Sequence, residues 1–451
     1  MSPALPQARS RARSARTLGI VAGVLGLGWI SARGGIACVC PLDRPEVEGG
    51  GWVVPVEGLQ TGLFADVTIA AMGDVDGDGI GDVAVGLPEP NEGLSRIHLL
   101  SGRDGARLRS WTVPDARNRR LGRRLLAVGD VDGGGRRDLA TSAGGGVVVL
   151  STESGARLFE PPDLEGWVFE LRDAGDVDGD GLVDLGLCFE RPYPRVEVRS
   201  GADGAFLLEI ATIAPARFPV VNELDRRWVV CGLGDVDGDG LGDCAVGSAP
   251  GWSSDDPVST RHIGLVAAIS GRTGAELWVV PGEIDLDRWP SDLARLADRD
   301  GDRVPELAIG SRGRIELRSG RTGELLLAQE GPPRTDWGAS VREAGDVDGD
   351  GTADLLAFCE NPDVFSGRPF PTGGYFELLS GRELELLQRS PLACSVGTDE
   401  VQPAGDLDGD GRADLVLGFP VADRSGVDFL CCDNLRAPKS WVALMRGLPT
   451  R

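Results

Sequence analysis

The sequence predicts an all-β chain: a seven-bladed β-propeller closed by its N-terminal strand, which completes the last blade. Three observations carry this expectation. An acidic loop recurs with first aspartates Asp74, Asp130, Asp176, Asp235, Asp298, Asp346 and Asp406, at intervals of 56, 46, 59, 63, 48 and 60 residues, the size of one four-stranded blade. No run of ten or more residues between the loops has convincing helical periodicity, while Gly and Pro fall at turn spacing. Finally, Trp52-Val-Val-Pro55 matches two segments predicted to be fourth strands, Trp111-Thr-Val-Pro114 and Trp278-Val-Val-Pro281, and the seventh unit ends without a fourth strand of its own.

The loop is the most regular element. Its carboxylates stand at relative positions 1, 3, 5 and 9, alternating with small residues, as a loop wrapped around one hard cation requires. In the first copy they are Asp74, Asp76, Asp78 and Asp82, with Gly79 at position 6 and Ile80 placed to give a carbonyl from position 7. Calcium takes six to eight oxygens, and the first half of an EF-hand loop offers them at the same positions. Here the loop runs into a short β-rich segment, Val83-Ala84-Val85-Gly86, so it joins two strands rather than a strand and a helix. Equivalent sets are Asp176, Asp178, Asp180, Leu182 and Asp184; Asp235, Asp237, Asp239, Leu241 and Asp243; Asp346, Asp348, Asp350, Thr352 and Asp354; and Asp406, Asp408, Asp410, Arg412 and Asp414. Turn chemistry alone accounts for Asp-Gly-Asp-Gly, but not for the fourth acid at position 9. Two copies depart from the pattern. The second has Asp130, Asp132 and Asp138 but Gly134 at position 5, with Arg136 and Arg137 inside the loop as a partial stand-in for an ion. The fifth has Asp298, Asp300, Asp302 and Glu306 but Arg303 at position 6. Occupancy of these two is left open.

The remaining elements follow in order within each unit: an apolar strand into the loop, a second strand, a connection of varying length, a third strand, a tight turn and a fourth strand. The turn reads Ser101-Gly-Arg-Asp-Gly105, Ser200-Gly-Ala-Asp-Gly204, Ser270-Gly-Arg-Thr-Gly274 and Ser319-Gly-Arg-Thr-Gly323, with weaker forms at Ser151 and Ser380. Up-and-down connectivity places these turns on the same face as the acidic loops. The long connections 210–227, 248–260, 282–293, 360–374 and 421–440 fall on the opposite face, where binding loops on a rigid scaffold are found.

Residues 1–37 read as a secretory signal: Arg9, Arg11, Arg13 and Arg16 precede an apolar stretch of 13 residues, 18–30, which is short for a bilayer span. Cleavage could follow Ala32 or Ala37; the second places Cys38 first, the minority reading being a lipid anchor there. Residues 38–50 are a lead-in linker and 51–451 the propeller. The expected location is therefore secreted, periplasmic or at the cell surface. Removing residues 1–37, with five arginines and no acid, takes the formal charge from −24 to −29, which repels nucleic acid and anionic membrane. The loops hold 27 of the 70 acidic residues, so much of this acidity reads as ligand rather than surface. Of nine cysteines, Cys231 and Cys244 flank the fourth loop and are read as cross-linked or merely packed; Cys188 and Cys359 read as buried thiols, and Cys394 with Cys431 or Cys432 as a disulfide.

Trp337-Gly338-Ala339-Ser340-Val341 followed by Gly345-Asp-Val-Asp-Gly-Asp-Gly-Thr-Ala-Asp-Leu355 resembles an FG-GAP repeat of the integrin alpha-chain propeller type. The resemblance extends over residues 50–451, though the Phe-Gly element reduces to Leu121-Gly122 in the second unit and fades elsewhere. It implies seven blades, calcium in the acidic loops on one face and partner binding on the other. Catalysis has little support: His98 and His262 are the two histidines and lie far apart, and no nucleophile elbow, phosphate loop or His-Glu-x-x-His motif occurs. Acidic pairs neither support nor exclude a glycosidase. Thr273-Gly274-Ala-Glu-Leu-Trp278 is similar to a turn of quinone-dependent dehydrogenase propellers, but only the fourth unit carries the tryptophan at that spacing. The arginines Arg117, Arg119, Arg120, Arg123 and Arg124 read as a solvated run, with an anionic partner as the alternative. The reading adopted is an exported, monomeric calcium-binding propeller that serves adhesion or protein or glycan interaction without catalysis; the alternatives are a structural envelope component or, less favoured, a propeller hydrolase or dehydrogenase.

Overall fold

The computed structural model describes residues 67–87, 95–112, 121–143, 145–190, 192–211, 213, 226–250, 264–282, 289–333, 335–359, 375–391, 401–406 and 410–419, with the strand backbones of Val53–Val56 and Ser440–Met445. The signal and linker segments, Cys38, Cys394, Cys431, Cys432, His262, Asp408 and most of the long connections lie outside them. The described regular structure is entirely β-strand, arranged as a propeller.

Six sheets are each built from four consecutive strands. The first contains Thr68–Gly73, Asp82–Leu87, Arg96–Leu100 and Arg107–Thr112; the others span 125–159, 168–210, 226–281, 292–330 and 340–391. A further four-stranded sheet joins the chain ends, in the order Val53–Val56, Ser440–Met445, Asp414–Phe419, Val401–Gly405, with Val53 opposite Ala443 and Val56 opposite Ser440. The N-terminal strand thus covers the outer edge that the last three strands leave open, where unpaired backbone groups would invite association.

Strand composition follows position in the sheet. Second strands such as Asp82–Leu87 and Asp354–Cys359 are buried at every residue, because neighbouring sheets cover both faces; they therefore read as short continuous runs rather than alternating patterns. Fourth strands face outward, and Arg107–Thr112 buries only Trp111. Apolar clusters fill the gaps between consecutive sheets: Ile97 and Leu99 meet Leu139 and Val148 between the first and second, Trp228 and Val246 meet Cys188 and Val196 between the third and fourth, and Ala404 and Val416 meet Val83 and Val85 between the last sheet and the first. First strands of consecutive sheets lie side by side around the axis.

Glycine permits this approach at the sheet boundaries. A Cβ on Gly86 would lie 2.2 Å from the carbonyl oxygen of Gly122, and one on Gly310 would lie 2.4 Å from that of Gly338. Gly122 and Gly338, the glycines of the Leu-Gly and Trp-Gly pairs, hold φ of 85° and 78°, conformations that favour a residue without Cβ. The turns at Ser151 and Ser380 are as fully formed as the others. In each, the serine N–H bonds to the carbonyl five residues on and its carbonyl accepts from the residue four on, at 2.8 to 3.0 Å; at Ser380 the left-handed position is filled by Leu384, φ 54°.

The described cysteines Cys188, Cys231, Cys244 and Cys359 are all free thiols, so of the two readings for Cys231 and Cys244 the packed one holds. Burial pushes the thiols of Cys231 and Cys244 up to about 12, far from the thiolate that reactivity needs.

Candidate metal centres

Each acidic loop connects the first and second strands of its sheet, and its shape comes from its own carboxylates. In the first loop Asp74 Oδ1 accepts from the N–H groups of Gly77 and Asp78 at 2.7 and 3.0 Å, and its Oδ2 accepts from Gly79 at 2.8 Å. Asp76 Oδ1 accepts from Asp78 N–H at 3.1 Å, and Asp78 Oδ1 from Ile80 N–H at 2.9 Å. The same pattern recurs around Asp235, Asp237 and Asp239 and around Asp346, Asp348 and Asp350. Left-handed glycines at positions 4 and 6, Gly77 and Gly79 at φ 83° and 84°, let the chain curl so that the side chains at positions 1, 3 and 5 turn inward. In the fifth loop Arg303 takes the position-6 conformation at φ 73°, and its N–H still bonds to Asp298 Oδ2 at 2.8 Å. That loop keeps its shape at a conformational cost of order 1–3 kcal/mol.

The position-9 acids do more than close a ligand set. Asp82, Asp184, Asp243, Asp354 and Asp414 are wholly buried, and Asp138 and Glu306 nearly so. Asp82 Oδ2 accepts from Val75 N–H at 2.7 Å and Asp76 N–H at 3.1 Å, while its Oδ1 accepts from Gly102 N–H at 3.0 Å in the tight turn between the third and fourth strands. Asp138 reaches Thr152, Asp184 reaches Gly201, Asp243 reaches Gly271 and Asp354 reaches Gly381 in the same way. This acid therefore ties two hairpins together. Burial raises its pKa, to about 7 for Asp184 and about 6 for Asp354, despite the opposing backbone hydrogen bonds, with Asp178 and Asp348 as neighbouring like charges. Asp82, Asp138, Asp243 and Glu306 are raised for the same leading reason.

Among the described residues ligand-capable oxygens converge in groups that include Asp74, Asp76 and Asp82; Asp130, Asp132 and Asp138; Asp176, Asp178 and Asp184; Asp235, Asp237 and Asp239; and Asp298, Asp300 and Asp302, each placing one oxygen within 4.8 Å of the others. Such all-carboxylate sets fit a hard divalent cation. One buried oxygen adds to that fit, because Asp130 Oδ1 in the second loop has no hydrogen-bond partner. In the last loop Asp406 accepts from Asp410 and Gly411 N–H, and Asp410 from Arg412 N–H. The position-7 residues Ile80, Leu182, Leu241, Thr352 and Arg412 engage their N–H groups with the position-5 acid. Three of their side chains also reach the preceding loop, where a Cβ on Gly129, Gly179 or Gly349 would meet Leu182, Leu241 or Arg412. Adjacent loops are bonded directly as well: Gly242 N–H donates to Asp176 O and Ala413 N–H to Asp346 O, both at 2.7 Å.

Two features of this region escape the linear pattern. The third residue of the tight turn faces the loop: Arg103 donates to the Asp78 carboxylate and carbonyl, Arg272 to those of Asp239, and Arg321 to those of Asp302. Arg103 holds Asp78 below its ordinary pKa; Asp239 is lowered chiefly by its Leu241 hydrogen bond and then by Arg272. The first strands, read from sequence as apolar, also carry charges toward the axis. Arg124 pairs with Glu170 at 2.6 Å, Arg172 lies 3.7 Å from Glu170 and 3.2 Å from Asp292, and Asp292 accepts from Ser340 Oγ at 2.7 Å. Arg124 thus belongs to a partly buried network rather than a solvated run; Arg117, Arg119 and Arg120 lie outside the described residues.

Residues considered for catalysis have structural partners. His98 Nδ1 is 2.7 Å from Ser110 Oγ on the adjacent strand. Trp278 Nε1 donates to Gly320 O at 2.8 Å and Trp111 Nε1 to Gly155 O at 3.2 Å, so both tryptophans fasten a fourth strand to the tight turn of the next sheet.

Residues 298–357 match the model of an FG-GAP-like repeat. Integrin alpha-X of Mus musculus is 28% identical over 159 residues, a match covering 31% of this chain and 13% of the relative. The chain therefore spans a small part of that protein's length. Among solved structures, BBS1N, determined in complex with ARL6DN, aligns with a TM-score of 0.48 at 10% identity, covering 88% of this chain and 98% of that one.

Proposed function

We propose that this FG-GAP-repeat protein, an integrin-alpha-like propeller, is an exported seven-bladed interaction module that holds calcium on one face and binds a protein or glycan on the opposite face, without catalysis of its own. The observation that carries the reading is the repetition of one carboxylate nest between the first and second strands of successive sheets, with the third and fourth loops and the sixth and seventh loops bonded to each other directly. Asp74, Asp76, Asp78 and Asp82 would hold the ion in the first loop, with Ile80 supplying a carbonyl, and the corresponding residues would do so in the other loops. A bound divalent ion offsets the mutual repulsion of three or four carboxylates. Extracellular calcium modules have Kd values of about 0.1–1 mM, so at millimolar calcium each filled site contributes about 0.4–1.4 kcal/mol. The ion-bearing face then acts as a stiff base from which the opposite connections present a binding surface.

The test is adhesion. Beads coated with the purified chain should adhere to surfaces bearing extracellular proteins or polysaccharides when calcium is present and detach when it is chelated. Equal adhesion by uncoated beads, or adhesion indifferent to the chelator while the protein binds calcium, would contradict the interaction role and favour a purely structural component.

A further inference from the structure

We propose that the second loop is a divalent-cation site completed from outside the loop by Glu153. The inference rests on the calcium reading above and extends it to the copy whose sequence lacks a ligand. In that copy position 5 is Gly134, and the loop bonds are correspondingly fewer. Gly135 N–H reaches Asp130 Oδ2 at 2.7 Å and Gly134 N–H reaches Asp132 Oδ1 at 3.0 Å. Asp130 Oδ1 is buried without a partner, whereas the equivalent Oδ1 atoms of Asp74, Asp176, Asp235, Asp298 and Asp346 all accept from the loop backbone. A buried carboxylate oxygen left unpaired is costly and calls for a cation or proton.

The space that a position-5 side chain would enter is already filled by a carboxylate. A Cβ built on Gly134 would lie 2.1 Å from Glu153 Oε2 and 2.9 Å from Asp132 Oδ1. Glu153 is the third residue of the tight turn Ser151–Gly155, the place held by Arg103, Arg272 and Arg321 in the turns that face the first, fourth and fifth loops. Those arginines donate to a position-5 aspartate. In the second unit both partners are exchanged together: the aspartate becomes glycine and the arginine becomes glutamate. The exchange sets Glu153 Oε2 beside Asp132, next to the converging Asp130, Asp132 and Asp138 group, with no arginine at the third turn position. Arg109 of the first sheet donates to the Glu153 backbone carbonyl, and the Arg137 stem leans toward Gly73 of the first loop. The exchange preserves four carboxylates for a hard cation such as calcium.

The test uses the full chain, stripped of metal and titrated with calcium alone, with bound ions counted by native mass spectrometry and affinities measured by calorimetry. Glu153→Ala should bind one ion fewer than the wild type at the calcium concentration that saturates the wild type. Because Glu153 is exposed, its metal-free melting temperature should be unchanged. Adding Gly134→Asp to Glu153→Ala should restore the missing ion, since Gly134 does not share the left-handed φ of Gly133 and Gly135 and the space is vacated. An unchanged ion count and affinity in Glu153→Ala, with the wild type binding calcium normally, would overturn this assignment alone. Loss of an ion that Gly134→Asp does not restore would also overturn it, placing Glu153 outside the coordination set. A wild type that binds no calcium would overturn both this assignment and the calcium reading on which it rests.

Discussion

The first and third acidic loops share a backbone but differ in what faces position 5. In the first, Arg103 reaches across from the tight turn to Asp78 and holds its carboxyl below the ordinary range. In the third, Ala202 occupies the equivalent turn position, and Asp180 is raised by burial and by the neighbouring charges of Asp178 and Asp176. The same nest of acids is thus partly neutralised by a guanidinium in one copy and left with uncompensated repulsion in the other. Local charge balance, rather than loop shape, separates copies that sequence presents as equals.

The largest expected effect comes from removing the acid that both loops share. Asp184→Ala leaves the N–H groups of Val177 and Gly201 without their acceptor, and should cost about 2–4 kcal/mol in chemical denaturation. A loss under about 0.5 kcal/mol would show that Asp184 does not tie the hairpins. Next is pH. Asp184 rises from 3.8 to about 7 and Asp354 to about 6 on folding, so the metal-free native state binds more protons than the unfolded state within that window. Their contribution to stability therefore falls as pH rises from about 4 to about 7. Calcium should flatten this slope by favouring the ionised acids, as melting measured from pH 4 to 8 with and without calcium would reveal.

The smallest effect separates the two loops directly. Arg103→Ala should change stability by less than about 1 kcal/mol, because the pair is largely exposed, yet raise calcium affinity at the first loop by roughly a few-fold, the gain shrinking at high salt. The equivalent position of the third loop is already Ala202, so Ala202→Arg should produce the opposite change there. Calorimetry on both variants would sharpen the comparison, and identical affinities would break it.

Much of this was legible in one dimension. The loops declare themselves because four acids and two left-handed glycines must be contiguous to form the nest, and the Trp52-Val-Val-Pro55 match pointed to the strand that now lies beside Ser440–Met445. The turn signals at Ser151 and Ser380 looked degraded because only the hydrogen-bonding frame is required, and leucine can hold the left-handed position at 384. What remained hidden depends on approach between distant segments. Arg103 and Asp78 are 25 residues apart, and Glu153 answers a gap at Gly134. Arg172 and Asp292 meet across the axis from sheets that are not neighbours in sequence. Charges in first strands were unexpected because the strand entering each loop reads as apolar, whereas a ring of first strands leaves an axis where ion pairs can sit. Most of the long connections between second and third strands and between sheets lie outside the described residues.

Calcium titration of the metal-stripped full chain, followed by calorimetry with thermal melting in parallel, tests the central claim most directly. Five to seven ions per chain, one for each filled loop among the seven, with a melting temperature that climbs as calcium is added, is the result predicted. No binding and an unchanged melt would make the loops ordinary turns held by their own hydrogen bonds, and would contradict the account.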